Sequence, residues 1–433
     1  MSRHGRVLVA MSGGVDSSVA AALLHEQGYD VVGVTMKTWD HATTGGKAEA
    51  QARAKAPGGK QVGCCSLDDM NDARAVAVRL GVPHFIVDIR DEFGSFVIDR
   101  FERDYLTGRT PNPCVLCNTH VKWAALLKRA DALDCEWIAT GHYARVRASG
   151  AEVLGGGDVA TGGPLAPEAE SAAGRSPQAT SRRYILSRGV DRNKDQSYAL
   201  WGVEQAHLAR TLLPLGAMTK PDIRALAAEM GHLEVADKKD SYEICFVPDG
   251  DYRGWLERRR PGLAERVGGD FVWEASGDVL GQHRGTPFYT VGQRRGLGLA
   301  WSEPIYVTRI DPLTETVYLG PREALSGRTV LASDLNWVGV GGFPEETRVT
   351  AQVRYKDPGA PALVRQTGED SVEAVFEAPR SAPAPGQALV LYDGDDVLAG
   401  GWIDAAHRDG ALEAKRAGAS GDGEMHTTLP VLS

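Results

Sequence analysis

The sequence predicts an α/β protein: a doubly wound parallel sheet, then a small mixed linker domain, then a C-terminal β-barrel. Three observations carry this. Short apolar, β-prone runs at 6–11, 30–36, 84–89 and 136–141 alternate with helical patterns at 16–27, 67–80, about 92–106 and 120–133, the order that builds buried parallel strands. A glycine-rich turn, Ser12-Gly13-Gly14-Val15-Asp16-Ser17-Ser18, joins the first strand to the first helix. From about residue 284 the pattern changes to short alternating strands, as in a small barrel.

The first strand, Arg6 to Met11, is short and apolar, and the helix after the turn is rich in Ala and Leu. Two glycines let the backbone turn sharply and approach a ligand. The helix start then aims unpaired N–H groups into the turn, where an oxyanion such as phosphate fits. The bland alternative is a plain helix cap. The turn lacks the Lys-Ser/Thr ending of a Walker loop, so γ-phosphate transfer is disfavoured. In the second helical pattern Leu67, Met70, Ala73, Val76, Ala77 and Leu80 share one face; Ser66 caps it, and Gly81 and Pro83 end it. Ligands of such sheets bind at the carboxyl ends of the strands. The glycine turn, Met36 and Gly141-His142 all fall there.

The domains expected are 1–205 for the α/β unit, 206–282 for the linker, 283–405 for the barrel and 406–433 for a disordered tail. Stretches 41–61 and 150–181 are Gly/Ala-rich with little apolar content and read as flexible insertions. In the linker, short helices are expected around 219–230 and 251–260. In the barrel, Pro304–Asp311 and Thr316–Gly320 form a hairpin, followed by Arg348–Tyr355, Ser371–Phe376 and Ala388–Leu391.

The chain has 433 residues and a net charge of −9, which argues weakly against nucleic-acid binding. Basic residues nevertheless cluster at Arg182, Arg183, Arg188, Arg192 and Lys194, at Arg253 and Arg258 to Arg260, and at Arg284, Arg294 and Arg295. Each cluster reads equally as a solvated face. No apolar run suits a membrane span or a signal peptide. Six cysteines are too few for a disulfide scaffold, so a reducing, cytoplasmic setting is the simplest reading.

Two stretches hold the notable thiols. Thr110-Pro111-Asn112-Pro113-Cys114-Val115-Leu116-Cys117-Asn118 reads as a proline-ordered loop with a helix starting near Asn118, which would put Cys117 at a helix N-terminus and favour its thiolate. The alternative for Cys-x-x-Cys is half of a metal site. Cys245 lies in Asp240-Ser241-Tyr242-Glu243-Ile244-Cys245-Phe246. Alone it reads as a buried small hydrophobe, as does Cys135.

These stretches, with Ala139–Arg145, Lys194–Tyr198, Tyr289–Gly296 and Val353–Lys356, occur in one order over roughly residues 6–405. Together they resemble the bacterial tRNA-specific 2-thiouridylase family, whose glycine turn is the PP-loop of ATP pyrophosphatases, an adenine nucleotide alpha hydrolase-like fold. The resemblance implies ATP-dependent 2-thiolation of the wobble uridine of tRNA, with ATP cut to AMP and diphosphate. Carried over by motif, Ala10, Met11, Ser12, Gly13, Gly14, Val15, Asp16, Ser17, Met36 and Gly141 would bind ATP. Asp16 would help hold Mg2+. Cys117 would be the nucleophile and Cys245 the persulfide carrier, joined at the end by a transient disulfide. Asn112, Pro113 and Cys114 would meet the target base; Lys194, Asp195, Gln196, Arg354 and Tyr355 would contact tRNA. A persulfide-relay protein or a cysteine desulfurase would supply sulfur. Residues 240–246 would form a mobile loop closing over the site.

Many family members have Asp where this chain has Cys114. With Cys64, Cys65 and Cys117 it makes a four-thiol set able to bind an iron–sulfur cluster or Zn2+. Two other functions compete. A nitrogen-transferring PP-loop ligase would need no cysteine pair. A non-catalytic tRNA-binding protein would release no diphosphate.

Overall fold

The computed structural model describes residues 2–39, 67–149, 183–231, 244–247, 250–266 and 268–407. The two expected insertions, Cys64 and Cys65, and the tail beyond 407 lie outside the described residues.

Strand β1 (Arg6–Ala10) is central and buried through Val7, Leu8 and Val9, as expected of a strand covered on both faces. Helix α1 (Val15–Glu26) follows, then β2 (Asp30–Lys37), α2 (Leu67–Leu80) and β3 (His84–Asp88). A continuous helix α3 comprises Arg90–Phe93, a π-helical Gly94–Ile98 and Asp99–Leu106. Helix α4 comprises Pro113–Leu116, a π-helical Cys117–Lys122 and Trp123–Ala132. Strands β4 (Trp137–Ala139) and β7 (Thr211–Leu212) complete a parallel sheet of order β3-β2-β1-β4-β7. Strand β3 is its edge, and Phe85 and Ile86 are exposed, so 84–89 is not the buried strand expected.

The α/β unit also runs past residue 205. Strand β7 pairs with β4, and helix α5 (Lys220–Glu229) packs Ile223 and Ala227 against Val15 and Val19 of α1. After helix α6 (Tyr252–Arg259) comes a mixed sheet of order β10-β11-β8-β9, from β8 (Gly269–Trp273) and β9 (Val279–His283) to β10 (Tyr306–Asp311) and β11 (Thr316–Gly320). The boundary expected at 282 therefore cuts this sheet. The hairpin at 304–320 was placed in the barrel because its own pattern does not show its partner: β11 pairs in parallel with β8, Val317 opposite Phe271.

The barrel begins at β12 (Ser326–Trp337) and continues through β13 (Thr347–Gln352), β14 (Ala360–Gly368), β15 (Ser371–Ser381), β16 (Ala388–Asp393) and β17 (Asp396–His407). It closes because β12 pairs with both β15 and β17. A hairpin not foreseen in the sequence, β5 (Ala144–Ala148) with β6 (Tyr184–Arg188), attaches to this barrel through Ser187 opposite Asp396. The Arg145–Asp395 ion pair, at 2.8 Å, reinforces the seam.

Candidate active site

The glycine turn forms at the carboxyl end of β1 as expected. Gly13 has φ +73°, and a Cβ there would sit 2.1 Å from the Asp69 carbonyl oxygen of α2. Gly14 is the N-cap of α1. The loop closes on itself: Ser12 N–H donates to Ser17 Oγ at 3.0 Å, and the hydroxyls of Ser17 and Ser18 donate to Gly14 O at 3.1 and 2.9 Å. From β2, Thr35 Oγ1 donates to Met11 O at 2.7 Å and so takes its second bond from His84 Nε2–H at 2.9 Å. Met36 packs, partly buried, on the main hydrophobic cluster.

Gly141, beyond β4, lies against the start of α1. A Cβ there would meet Asp16 C and Ser17 N at 2.9 Å, so any side chain would push the first helical peptide away. Next to it, Tyr143 OH donates to Asp16 Oδ1 at 2.6 Å, and Lys220 Nζ lies 2.8 Å from both Asp16 oxygens. Tyr143 and Lys220 were not singled out as site residues. Tyr143 sits inside the quoted 139–145 stretch; Lys220 follows Thr219, whose capping box with Asp222 starts α5.

The thiol helix begins earlier than expected. Asn112 is its N-cap and Pro113 its first residue. A proline is tolerated there because its missing N–H would have had no intrahelical partner. Cys114 therefore occupies the first turn and is exposed, while Cys117 lies deeper, 7% exposed, opening the π segment. Such π segments are frequent at functional sites. Burial among surrounding protein raises the Cys114 thiol pKa, and Lys122 partly offsets it. Helix-start activation thus applies to Cys114 rather than Cys117, and here burial opposes it.

The stretch before the helix is held by the barrel. Thr110 N–H donates to Pro385 O at 2.7 Å, Arg109 Nη2 to Ile403 O at 3.1 Å, and Gln387 Nε2 to Thr110 O and Pro111 O at 3.2 and 3.3 Å. Tyr198 OH donates to Ala388 O at 2.9 Å and also meets the Asn112 side chain. Tyr355 is exposed, its ring 6.3 Å from that of Tyr198. Arg354 lines a cavity of about 570 Å3 with Thr110, Gly292, Tyr306, Arg322 and Gln387. So Asn112, Arg354 and Tyr355 converge on one region.

Lys194, Asp195 and Gln196 lie instead against the turn beside Tyr143. Asp195 is buried: it accepts from Gly189 N–H, Ser197 N–H and Ser197 Oγ–H, and pairs with Arg188 at 3.5 Å. Gln196 Oε1 accepts from Tyr143 N–H at 2.9 Å. The Asp195 carboxylate and the Gln196 Oε1 thus shape this turn. Two of the clustered arginines, though themselves exposed, reach a buried acid. Arg259 and Arg260 hold the buried Glu102, whose carboxyl burial would raise, below the usual range by hydrogen bonds.

Of the 240–246 segment only Ile244, Cys245 and Phe246 are described. Phe246 is buried edge-on against Phe93 and Phe101 and tilted against Trp255, its ring 5.0 to 5.7 Å from theirs. That aromatic anchor packs Cys245 against the same hydrophobic cluster that contains Cys117. Cys117 is buried and Cys245 half-buried. Among the described residues no group of three metal-ligating side chains occurs, and the Cys64 and Cys65 half of the four-thiol set lies outside them. No described helix is long and apolar enough to cross a membrane.

Family models match three consecutive parts of the chain: a tRNA methyl transferase HUP domain over 5–249, a tRNA methyl transferase PRC-barrel domain over 262–321, and an aminomethyltransferase beta-barrel domain over 327–403. A tRNA-specific 2-thiouridylase MnmA from Salinibacter ruber is 53% identical over 96% of this chain and 98% of its own length. One from Cytophaga hutchinsonii is 49% identical over 94% and 100%. The chain belongs to the tRNA-specific 2-thiouridylase family. A solved complex of a 4-thiouridine synthetase with RNA and ATP overlaps only loosely, at TM-score 0.32 and 15% identity over 60% of this chain and 51% of that one. The second matched part spans the mixed sheet β8–β11 and the third spans β12–β17, so the second unit ends near residue 321 and the barrel follows, while the β5–β6 hairpin of the first part joins the barrel's sheet.

Proposed function

We propose that this chain is a tRNA-uridine 2-sulfurtransferase, which activates the wobble uridine with ATP and replaces its 2-oxygen by sulfur from a cysteine persulfide. The observation that carries this reading is the pair of cysteines, Cys117 and Cys245, from distant parts of the chain, one within and one packed against a single hydrophobic cluster. A nitrogen-transferring ligase has no use for such a pair.

The uridine is turned out of the anticodon stack to reach Asn112–Cys114. Its O2 attacks the α-phosphate of ATP; the bond to the bridging oxygen breaks and diphosphate leaves. The Gly13-Gly14 turn and the start of α1 present N–H donors to the phosphates. Asp16 is the carboxylate beside them that would meet the accompanying Mg2+. The activated C2 then carries AMP as leaving group.

Cys245 bears the persulfide. Its terminal sulfur attacks C2 and expels AMP, and Cys117 thiolate then cleaves the S–S bond; or Cys117 cleaves first and the freed hydrosulfide attacks. Both routes yield 2-thiouridine and a Cys117–Cys245 disulfide. Two electrons from a cellular thiol reductant reset the pair, which suits a cytoplasmic enzyme. A persulfide-bearing protein or cysteine desulfurase reloads Cys245.

Mass spectrometry of tRNA nucleosides tests this. Cells lacking the protein should lose wobble 2-thiouridine, and re-expression of wild type but of neither Cys117→Ser nor Cys245→Ser should restore it. Unchanged 2-thiouridine in the deletion would end the proposal.

A further inference from the structure

A departing diphosphate carries several negative charges, and fixed cations aimed at it are among the strongest aids to its departure. Residues 12 to 18 contain no basic side chain. A cation reaches this loop from outside it. Lys220, the first residue of α5, places Nζ 2.8 Å from each oxygen of Asp16. Its side chain is 9% exposed.

The placement is well fixed. Lys220 N–H donates to Asp191 Oδ2 at 3.0 Å, and the Thr219/Asp222 capping box sets where α5 starts. Ile223 and Ala227 seat that helix on α1. Tyr143 OH holds Asp16 from the other side, with its ring 5.9 Å from Nζ. Burying an ammonium is costly, and a pair serving stability alone is often replaceable by apolar residues. Here the buried cation stands at the second residue of the helix whose N-terminus forms the phosphate cradle.

We propose that Lys220 is the phosphate-binding cation of the nucleotide site. Before nucleotide binds, it neutralises Asp16. When ATP enters, its ammonium turns to the β- and γ-phosphates and Asp16 is released to Mg2+. The inference rests on the ATP-dependent reading above. It extends the site to a residue more than two hundred positions from the glycine turn.

Full-chain wild type and Lys220→Met are compared by titration calorimetry with Mg2+-ATP and with AMP, which lacks the two phosphates in question. The expected result is an ATP affinity at least tenfold weaker with AMP affinity unchanged within twofold, and a matching loss of tRNA-dependent diphosphate release. Lys220→Arg should recover part of the ATP affinity. Equal weakening for both nucleotides would reduce Lys220 to a support of Asp16, and no weakening would remove it from the site; either overturns the proposal. If Lys220→Met does not fold, the pair is neutralised as Asp16→Asn/Lys220→Gln and its ATP-to-AMP ratio compared with Asp16→Asn alone; the same tenfold fall is expected, and an unchanged ratio refutes the idea. Wild type that neither binds ATP nor releases diphosphate would bring down the functional reading itself, a different outcome from wild type and Lys220→Met binding ATP alike.

Discussion

The nucleotide loop and the stretch that leads into the thiol helix are built in opposite ways. The loop is held mainly by itself: Ser12, Gly14, Ser17 and Ser18 bond one another within a few residues. The stretch before the thiol helix is held by the far end of the chain, through Pro385, Gln387 and Ile403. A locally closed loop keeps its shape whatever the barrel does. A distantly clamped one takes its shape from domain docking, so a change in the barrel is expected to reach the thiol stretch and not the loop.

The comparison can be broken most severely at Gly13. An alanine there meets a backbone oxygen at 2.1 Å from a φ of +73°, and neither the strand nor α2 can yield cheaply. The expected cost is about 3 kcal/mol of stability, with ATP binding lost at temperatures where the variant remains folded. Thermal unfolding and nucleotide titration check this. An alanine variant of wild-type stability and affinity would show that the loop is not the tight cradle described.

The clamp should give less and in a different place. Arg109→Ala with Gln387→Ala removes three hydrogen bonds between barrel and thiol stretch, together roughly 2 kcal/mol at about 1 kcal/mol or less each. Thiolation kcat/KM should fall about tenfold while ATP affinity stays at the wild-type value. If ATP affinity fell in parallel, the two regions would not be separable and the contrast would fail.

The same contrast explains what was legible in the sequence. The glycine turn, its helix and the alternating strands follow from local pattern, and residues 6–37 fold as read. The earlier start of α4 escaped because Pro111 and Pro113 look alike in sequence, yet only the second sits where a helix accepts proline. Lys220, Gln387 and the β8–β11 pairing escaped because their partners lie 46 to 277 residues away, beyond any periodicity. Asp195 looked available for a ligand because sequence shows charge but not the two amides and the hydroxyl that engage it.

His142 tests the seam between the two regions, with the smallest effect. Its Nδ1 meets Thr140 Oγ1 at 2.7 Å on the nucleotide side, and its ring lies 5.6 Å from that of Trp123 on the thiol helix. Although the ring is only half-buried, desolvation and then the Lys122 charge push its pKa down to about 3. The unfolded chain binds this proton near pH 6.5 and the folded chain does not. Stability from this residue is therefore complete above pH 6.5 and is lost progressively as pH falls toward 3, by just under about 1 kcal/mol at pH 6. His142→Gln should flatten the acid limb of the thermal unfolding profile between pH 7.5 and 6 by that amount, leaving the contributions of His84, His120 and His283, whose pKa values burial also lowers, in place. An unaltered slope would mean that the imidazole is as free to take a proton as in water. The seam would then be open to solvent, and the nucleotide and thiol regions would be coupled by less than the packing of His142 on Trp123 implies.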